Sequence, residues 1–148
     1  MTEISFYHLT KTPVENALPK LLEKIVSSGN RAVLMVGEED KLKKLDDSLW
    51  ISNDFLPHGK AEDDFPENQP IYLTLSEENP NGATFLVAVG GVEPSFIGDF
   101  ERCLDVFDGA NENEVQFARA RWKKYKSVDG NSLSYWKQDD NGKWQKEA

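Results

Sequence analysis

The sequence predicts a three-layer α/β fold with a mostly parallel, Rossmann-like sheet, and three observations carry that prediction. Short apolar, β-branched runs alternate with longer segments whose leucines recur at helical spacing, as in βα repeats. The run "RAVLMV" is apolar almost throughout, as a central strand covered on both faces requires. A chain of 148 residues, 39% hydrophobic, is large enough for one such core.

Taken in order, "ISFYHL" (Ile4 to Leu9) reads as the first strand. A capping box follows, with Thr12 as N-cap, Pro13 at the first helical position and Glu15 three residues after the cap. Val14, Leu18, Leu21, Leu22, Ile25 and Val26 then mark one helix face, and Gly29 can end the helix. Pro19 interrupts that segment and is expected to bend or distort it. Arg31 to Val36 is the second strand, and "GEEDKLKKLDDSLW" the second helix, with Leu42, Leu45 and Leu49 inward. Residues 51–70 look irregular and too long for a routine connection. "IYLTL" and "TFLVAV" are the next strands, and "GGVEPSFIGDF" a loop with about one helical turn. "RCLDVF" is a fifth strand, and "NENEVQFARARWKKYK" the last helix, with acids first and bases last to suit its dipole. A hairpin around Asn141-Gly142 is expected at the end. The division expected is one domain over 1–130 and a C-terminal extension over 131–148.

Composition narrows the function. The net charge of −9 and pI near 4.7 oppose general affinity for nucleic acid, which needs a cationic face. Cys103 is the only cysteine, so no intrachain disulfide can form and a reducing compartment is expected. The N-terminus lacks the basic and apolar regions of a signal peptide, and no apolar run reaches the length of a membrane span. The chain reads as soluble and cytoplasmic, with no membrane partner.

Catalytic and cofactor patterns find little support. The dinucleotide fingerprint needs glycines in the first strand-to-helix turn, and here that turn is "TKTPVEN". The turn at Gly37 leads into Glu38, Glu39 and Asp40, which repel phosphate. His8, in the first strand, reads as a packed or hydrogen-bonded residue. His58 with Glu62, Asp63 and Asp64 makes at most a weak hard-cation site, and acids in such a polar loop are more often simply solvated. No metal-ligand spacing appears, no Gly-x-Ser-x-Gly elbow, and nothing marks Cys103 as activated. No cofactor is expected.

The outstanding feature is "RARWKKYK" (Arg119 to Lys126), in which five of eight residues are basic within an acidic chain. At 100° per residue, Val115, Ala118, Trp122 and Tyr125 form the apolar stripe. Arg119, Lys123 and Lys126 line one edge, Arg121 lies near the other, and Lys124 points away. A solvated helix over a core Trp is one reading. A site for a short anionic peptide with an apolar anchor is another, charge steering the peptide and the aromatic burying its anchor. Single-stranded nucleic acid stacked on aromatics is a third, and a small nucleotide binder or enzyme with an atypical site a fourth.

Four features together resemble the chi subunit of bacterial DNA polymerase III holoenzyme. They are "FY-x-L" at Phe6 to Leu9, "L-W-x4-F-L-P-H" from Leu49 to His58, the "A-R-A-R-W-K-x-Y" helix, and their order along an α/β chain of this length. The resemblance implies a non-catalytic clamp-loader accessory in DNA replication. It pairs with a psi subunit and grips the acidic, Phe-ending C-terminal tail of single-stranded-DNA-binding protein, so that contact with nucleic acid is indirect. It implies a monomer within a hetero-complex. Carried over residue by residue, the tail-binding arginine is Arg119, its aromatic neighbour Trp122 and the next lysine Lys123, with Lys126 nearby. Phe55 and Phe107 complete the apolar part. A lysine one turn before the arginine is here Val115, which removes a cation, and the family's usual Tyr is here Trp122, which loses a hydroxyl.

Overall fold

The computed structural model describes residues 2–51, 58–60, 69–90 and 92–148. Eight strands alternate with three helices. These are β1 (Glu3–Leu9), α1 (Val14–Ser27), β2 (Ala32–Val36), α2 (Glu39–Ile51), β3 (His58–Lys60), β4 (Ile71–Thr74), β5 (Phe85–Val89), β6 (Arg102–Asp108), α3 (Glu112–Lys126), β7 (Ser132–Gln138) and β8 (Trp144–Lys146). They form one sheet in the order β3-β4-β2-β5-β6-β1-β7-β8. Every neighbouring pair is parallel except the β7–β8 hairpin. The sheet is therefore the mostly parallel, three-layer α/β arrangement that the alternating pattern predicts.

Burial follows from where the helices lie. β2, β4 and β5 are buried at every position, because α1 and α2 cover one face while α3 and the 92–100 loop cover the other. The first face is packed from Leu18, Leu22, Leu34, Val87 and Val106, among others. The second is built on Ile4, Phe6, Val33, Leu86, Cys103 and Phe107. In β1 the two faces separate cleanly, since side chains alternate along a strand. Ile4 and Phe6 join the α3 side, while Tyr7 and Leu9 join the α1 side.

Two local expectations are corrected. α1 begins one residue later than the capping box implies, with Pro13 at the N-cap and no side-chain cap. Thr12 is engaged elsewhere: its hydroxyl accepts a bond of 3.0 Å from Gln138 Nε2. Pro19 lies inside α1, which runs on to Ser27 with the Pro19 ring buried among its apolar residues. The 51–70 stretch also contains a strand, β3, which extends the sheet beside β4. Its three residues, "HGK", carry no strand signature.

Gln138, at the end of β7, ties the hairpin to the N-terminal half. Its Oε1 accepts the backbone N–H groups of Thr10, Lys11 and Thr12 at 3.0, 3.0 and 3.2 Å. Its Nε2 also donates to the Gly142 carbonyl at 3.3 Å. Gln138 is buried, so its loss strands three amides. Gln138→Ala is expected to lower stability by about 1–3 kcal/mol. Urea denaturation checks this, and an unchanged midpoint would contradict it.

Candidate functional site

The strand alternation that places Ile4 and Phe6 on the α3 side also places His8 there, beside Tyr135 and Lys137 on β7, which lies parallel to β1 with His8 opposite Lys137. Helix α3 crosses this part of the sheet. Between them opens a groove of about 890 Å³ whose walls include Arg119, Trp122 and Lys123 from α3, and His8, Tyr135 and Lys137 from the strands.

Aromatic rings make its floor. Trp122 is half-buried and meets Phe6 edge-on at 5.4 Å and Tyr135 edge-on at 5.8 Å between ring centroids. The Tyr135 hydroxyl and His8 Nδ1 are hydrogen-bonded at 2.7 Å, the donor being set by the imidazole tautomer. His8 packs against Phe107 at 4.9 Å. Gly109 leaves it room, because a Cβ there would fall 2.3 Å from both His8 Nε2 and the Leu9 carbonyl oxygen. Burial, then Lys137, then Arg119 lower the His8 pKa from its ordinary value, against a smaller pull from Asp108.

The cations divide by their partners. Lys124 reaches Glu93 at 3.3 Å across the helix's outer side. Arg121 turns inward, a placement its position near the stripe's edge did not reveal, and is only 3% exposed. Its Nε and Nη2 donate to Asp105 Oδ2 and Oδ1 at 2.6 and 2.9 Å. Burial pushes the Asp105 carboxyl up, against the bonds and charge of the guanidinium. This fork fixes the rotation of α3 over β6 and thereby turns Arg119 and Lys123 toward the groove. Arg119, Lys123 and Lys137 form no ion pair among the described residues. Glu147, on the hairpin, is the one carboxylate side chain among the described residues lining the groove.

Of the residues singled out in the sequence, the structure brings Arg119, Trp122 and Lys123 together. Phe107 is fully buried behind His8 and Tyr135 rather than on the groove surface. Lys126 is exposed at the end of α3, outside the groove lining. Phe55 lies outside the described residues. His8, Tyr135 and Lys137 escaped the sequence reading as groove residues. The 135/137 alternation in "SYWKQ" shows that the two share a face, but nothing local says which strand they join.

Burial raises the Cys103 thiol pKa, which removes it as a nucleophile. His58 is buried with its Nε2 3.0 Å from Asp46 Oδ1, and no group of three or more His, Cys, Asp or Glu among the described residues is placed to hold a metal ion. No helix among the described residues is long and apolar enough to cross a membrane. On a Rossmann-like sheet with a glycine-free first turn, the groove thus gathers cations without ion-pair partners among the described residues around an apolar floor.

The comparisons with known proteins name the family. Residues 1–132 match the model described as DNA polymerase III chi subunit, HolC, and the chain belongs to this family of replication accessory subunits. It is 30% identical over 109 residues to the "Probable DNA polymerase III subunit chi" of Rickettsia prowazekii (strain Madrid E). That alignment spans 72% of this chain and 66% of the relative's length.

Breaking the buried fork leaves a charge with no partner, so Asp105→Ala should cost about 3–5 kcal/mol. Joint replacement of Asp105 and Arg121 by apolar residues should cost less, and denaturation of the three proteins tests the difference. The depressed His8 pKa means that the unfolded chain binds its proton more readily than the folded one. His8 therefore costs stability as pH falls through about 6.5. Urea midpoints at about pH 7.5 and about pH 5.5 should separate less in His8→Gln than in the wild type, and an equal separation would contradict this.

Proposed function

We propose that this chain is a non-catalytic accessory subunit that links the clamp loader of DNA polymerase III to coated single-stranded DNA. It does so by holding the acidic C-terminal tail of single-stranded-DNA-binding protein in the groove between α3 and β7. The observation carrying this reading is that Arg119, Lys123 and Lys137, without ion-pair partners among the described residues, surround the Trp122 ring in a protein of net charge −9. Cations held without counter-ions meet incoming carboxylates with nothing to displace but water. The aromatic floor gives the terminal Phe a surface to bury against.

The charges also set direction. Glu147 repels a carboxylate on its side of the groove, so the acidic stretch runs along Arg119 and Lys123, with Lys137 opposite. Charge-assisted bonds to Arg119 supply specificity. One aromatic anchor with two or three such bonds corresponds to an affinity of about micromolar, weakening as salt screens the exposed charges. Contact with DNA is then indirect. The psi subunit is the partner on the clamp-loader side, and the chain works as a monomer within that cytoplasmic hetero-complex.

Fluorescence anisotropy of a labelled acidic peptide ending in Phe tests the reading. Binding should weaken with salt, fall at least tenfold in Arg119→Ala (about 1.4 kcal/mol), and vanish when the terminal Phe is removed. A folded wild-type protein that ignores the peptide, or binds it equally well without the Phe, would overturn the proposal.

A further inference from the structure

The two strands that wall the groove also present an opposite face. Side chains alternate across the sheet, so Tyr7 of β1 and Trp136 of β7, directly paired, point to the α1 side. Trp144 and Lys146 of β8 join them through the hairpin register, in which Trp136 faces Lys146 and Gln138 faces Trp144. Tyr7, Trp136 and Trp144 are all half-buried. The Tyr7 and Trp136 rings lie nearly parallel, at 11° with centroids 6.4 Å apart, while Trp144 meets Tyr7 edge-on at 5.0 Å.

No helix of this chain takes its main packing from this strip. On the same face α1 packs chiefly on β2 and β6, and α2 on β2 and β4. We propose that the outer face of β1, β7 and β8 is a docking surface for an amphipathic helix of a second protein, apolar toward the sheet and acidic along its flanks.

Width, polarity and charge argue for that occupant. Strands about 4.8 Å apart put β1 and β8 roughly 10 Å apart, the width of one α-helix with its side chains. Three polar groups at the middle of the strip satisfy one another. Ser5 and Ser134 hydroxyls are bonded at 3.0 Å, and Trp136 Nε1 donates to Ser134 Oγ at 3.2 Å. A partner can cover them without stranding a donor. Cations stand on both sides. Lys24 of α1 borders a cleft of about 240 Å³ with Ser5, Tyr7 and Arg102, and Lys146 stands on β8. Neither forms an ion pair among the described residues, whereas Arg102 is held by Glu3 at 2.8 Å. Single-stranded nucleic acid suits the strip less well. Trp144 and Tyr7 turn edge to face against each other instead of offering free ring faces for bases, and the chain's net charge of −9 opposes a phosphate track.

The surface can be read directly, because each of the four tryptophans, Trp50, Trp122, Trp136 and Trp144, gives its own indole N–H signal in the full-length protein. The probes are a synthetic amphipathic helix of roughly 16 residues, about four turns, with a leucine face and glutamate flanks, its lysine-flanked twin, and oligothymidylate. The glutamate-flanked peptide should shift the Trp136 and Trp144 signals saturably while leaving Trp122, in the groove, unmoved. The exposed double variant Lys24→Glu with Lys146→Glu should weaken that binding at least tenfold, and Trp136→Ser should do likewise. Still Trp136 and Trp144 signals, movement of Trp122 alone, or an equal response to the lysine-flanked twin would overturn the proposal. A response to oligothymidylate instead would overturn it in favour of nucleic acid.

Discussion

The pairing of β7 alongside β1 is the contact on which the functional surfaces rest. It is a parallel pairing over residues 3–8 and 132–137, between segments more than a hundred residues apart, and it carries the hairpin into the sheet as its edge. Without it α3 would have no opposing wall: Trp122 would lose Tyr135, and His8 would lose its hydrogen-bond partner. Because a strand alternates its side chains, the same pairing prepares two unlike surfaces back to back. A lysine, a histidine and a phenol hydroxyl face α3, and indoles and serines face the other way. Ligands bound one on each face would not compete with each other for space.

Charge is arranged with the same economy. The 17 Lys and Arg are outnumbered by 26 Asp and Glu, so a cluster of exposed cations acts locally rather than as a general attraction for phosphate. The buried Arg121–Asp105 fork takes one of the α3 cations out of the recognition set and turns it into a rotational stop. A fork of two hydrogen bonds is directional in a way that apolar packing is not. Helix α3 could otherwise roll by a fraction of a turn at little cost, taking Arg119 out of reach.

Much of this was legible in the residues. The continuous apolar runs of β2 and β5 and the leucine spacing of α1 gave the layers, and the basic helix gave one wall of the groove with Arg119, Trp122 and Lys123. What stayed hidden depended on long-range pairing. The "SYWKQ" alternation is plain, yet its parallel partner is at the other end of the chain, so Tyr135, Lys137 and His8 could not be assembled into a wall. The inward turn of Arg121 was not legible, because a helical wheel has no knowledge of Asp105, which sits on the neighbouring strand. The Thr12 cap failed for a similar reason, its hydroxyl being claimed by Gln138.

That glutamine has a further consequence. The turn after the first strand of a Rossmann-like sheet is where backbone amides converge on the phosphate of a bound nucleotide. In this chain the amides of residues 10–12 converge as well, but on the side-chain oxygen of Gln138. The place of the phosphate is filled by a neutral oxygen belonging to the protein itself, held there by its own strand at an effective concentration that a free ligand must overcome. At the turn where related architectures cradle an anion, this chain has a structural joint between its first strand and its last hairpin.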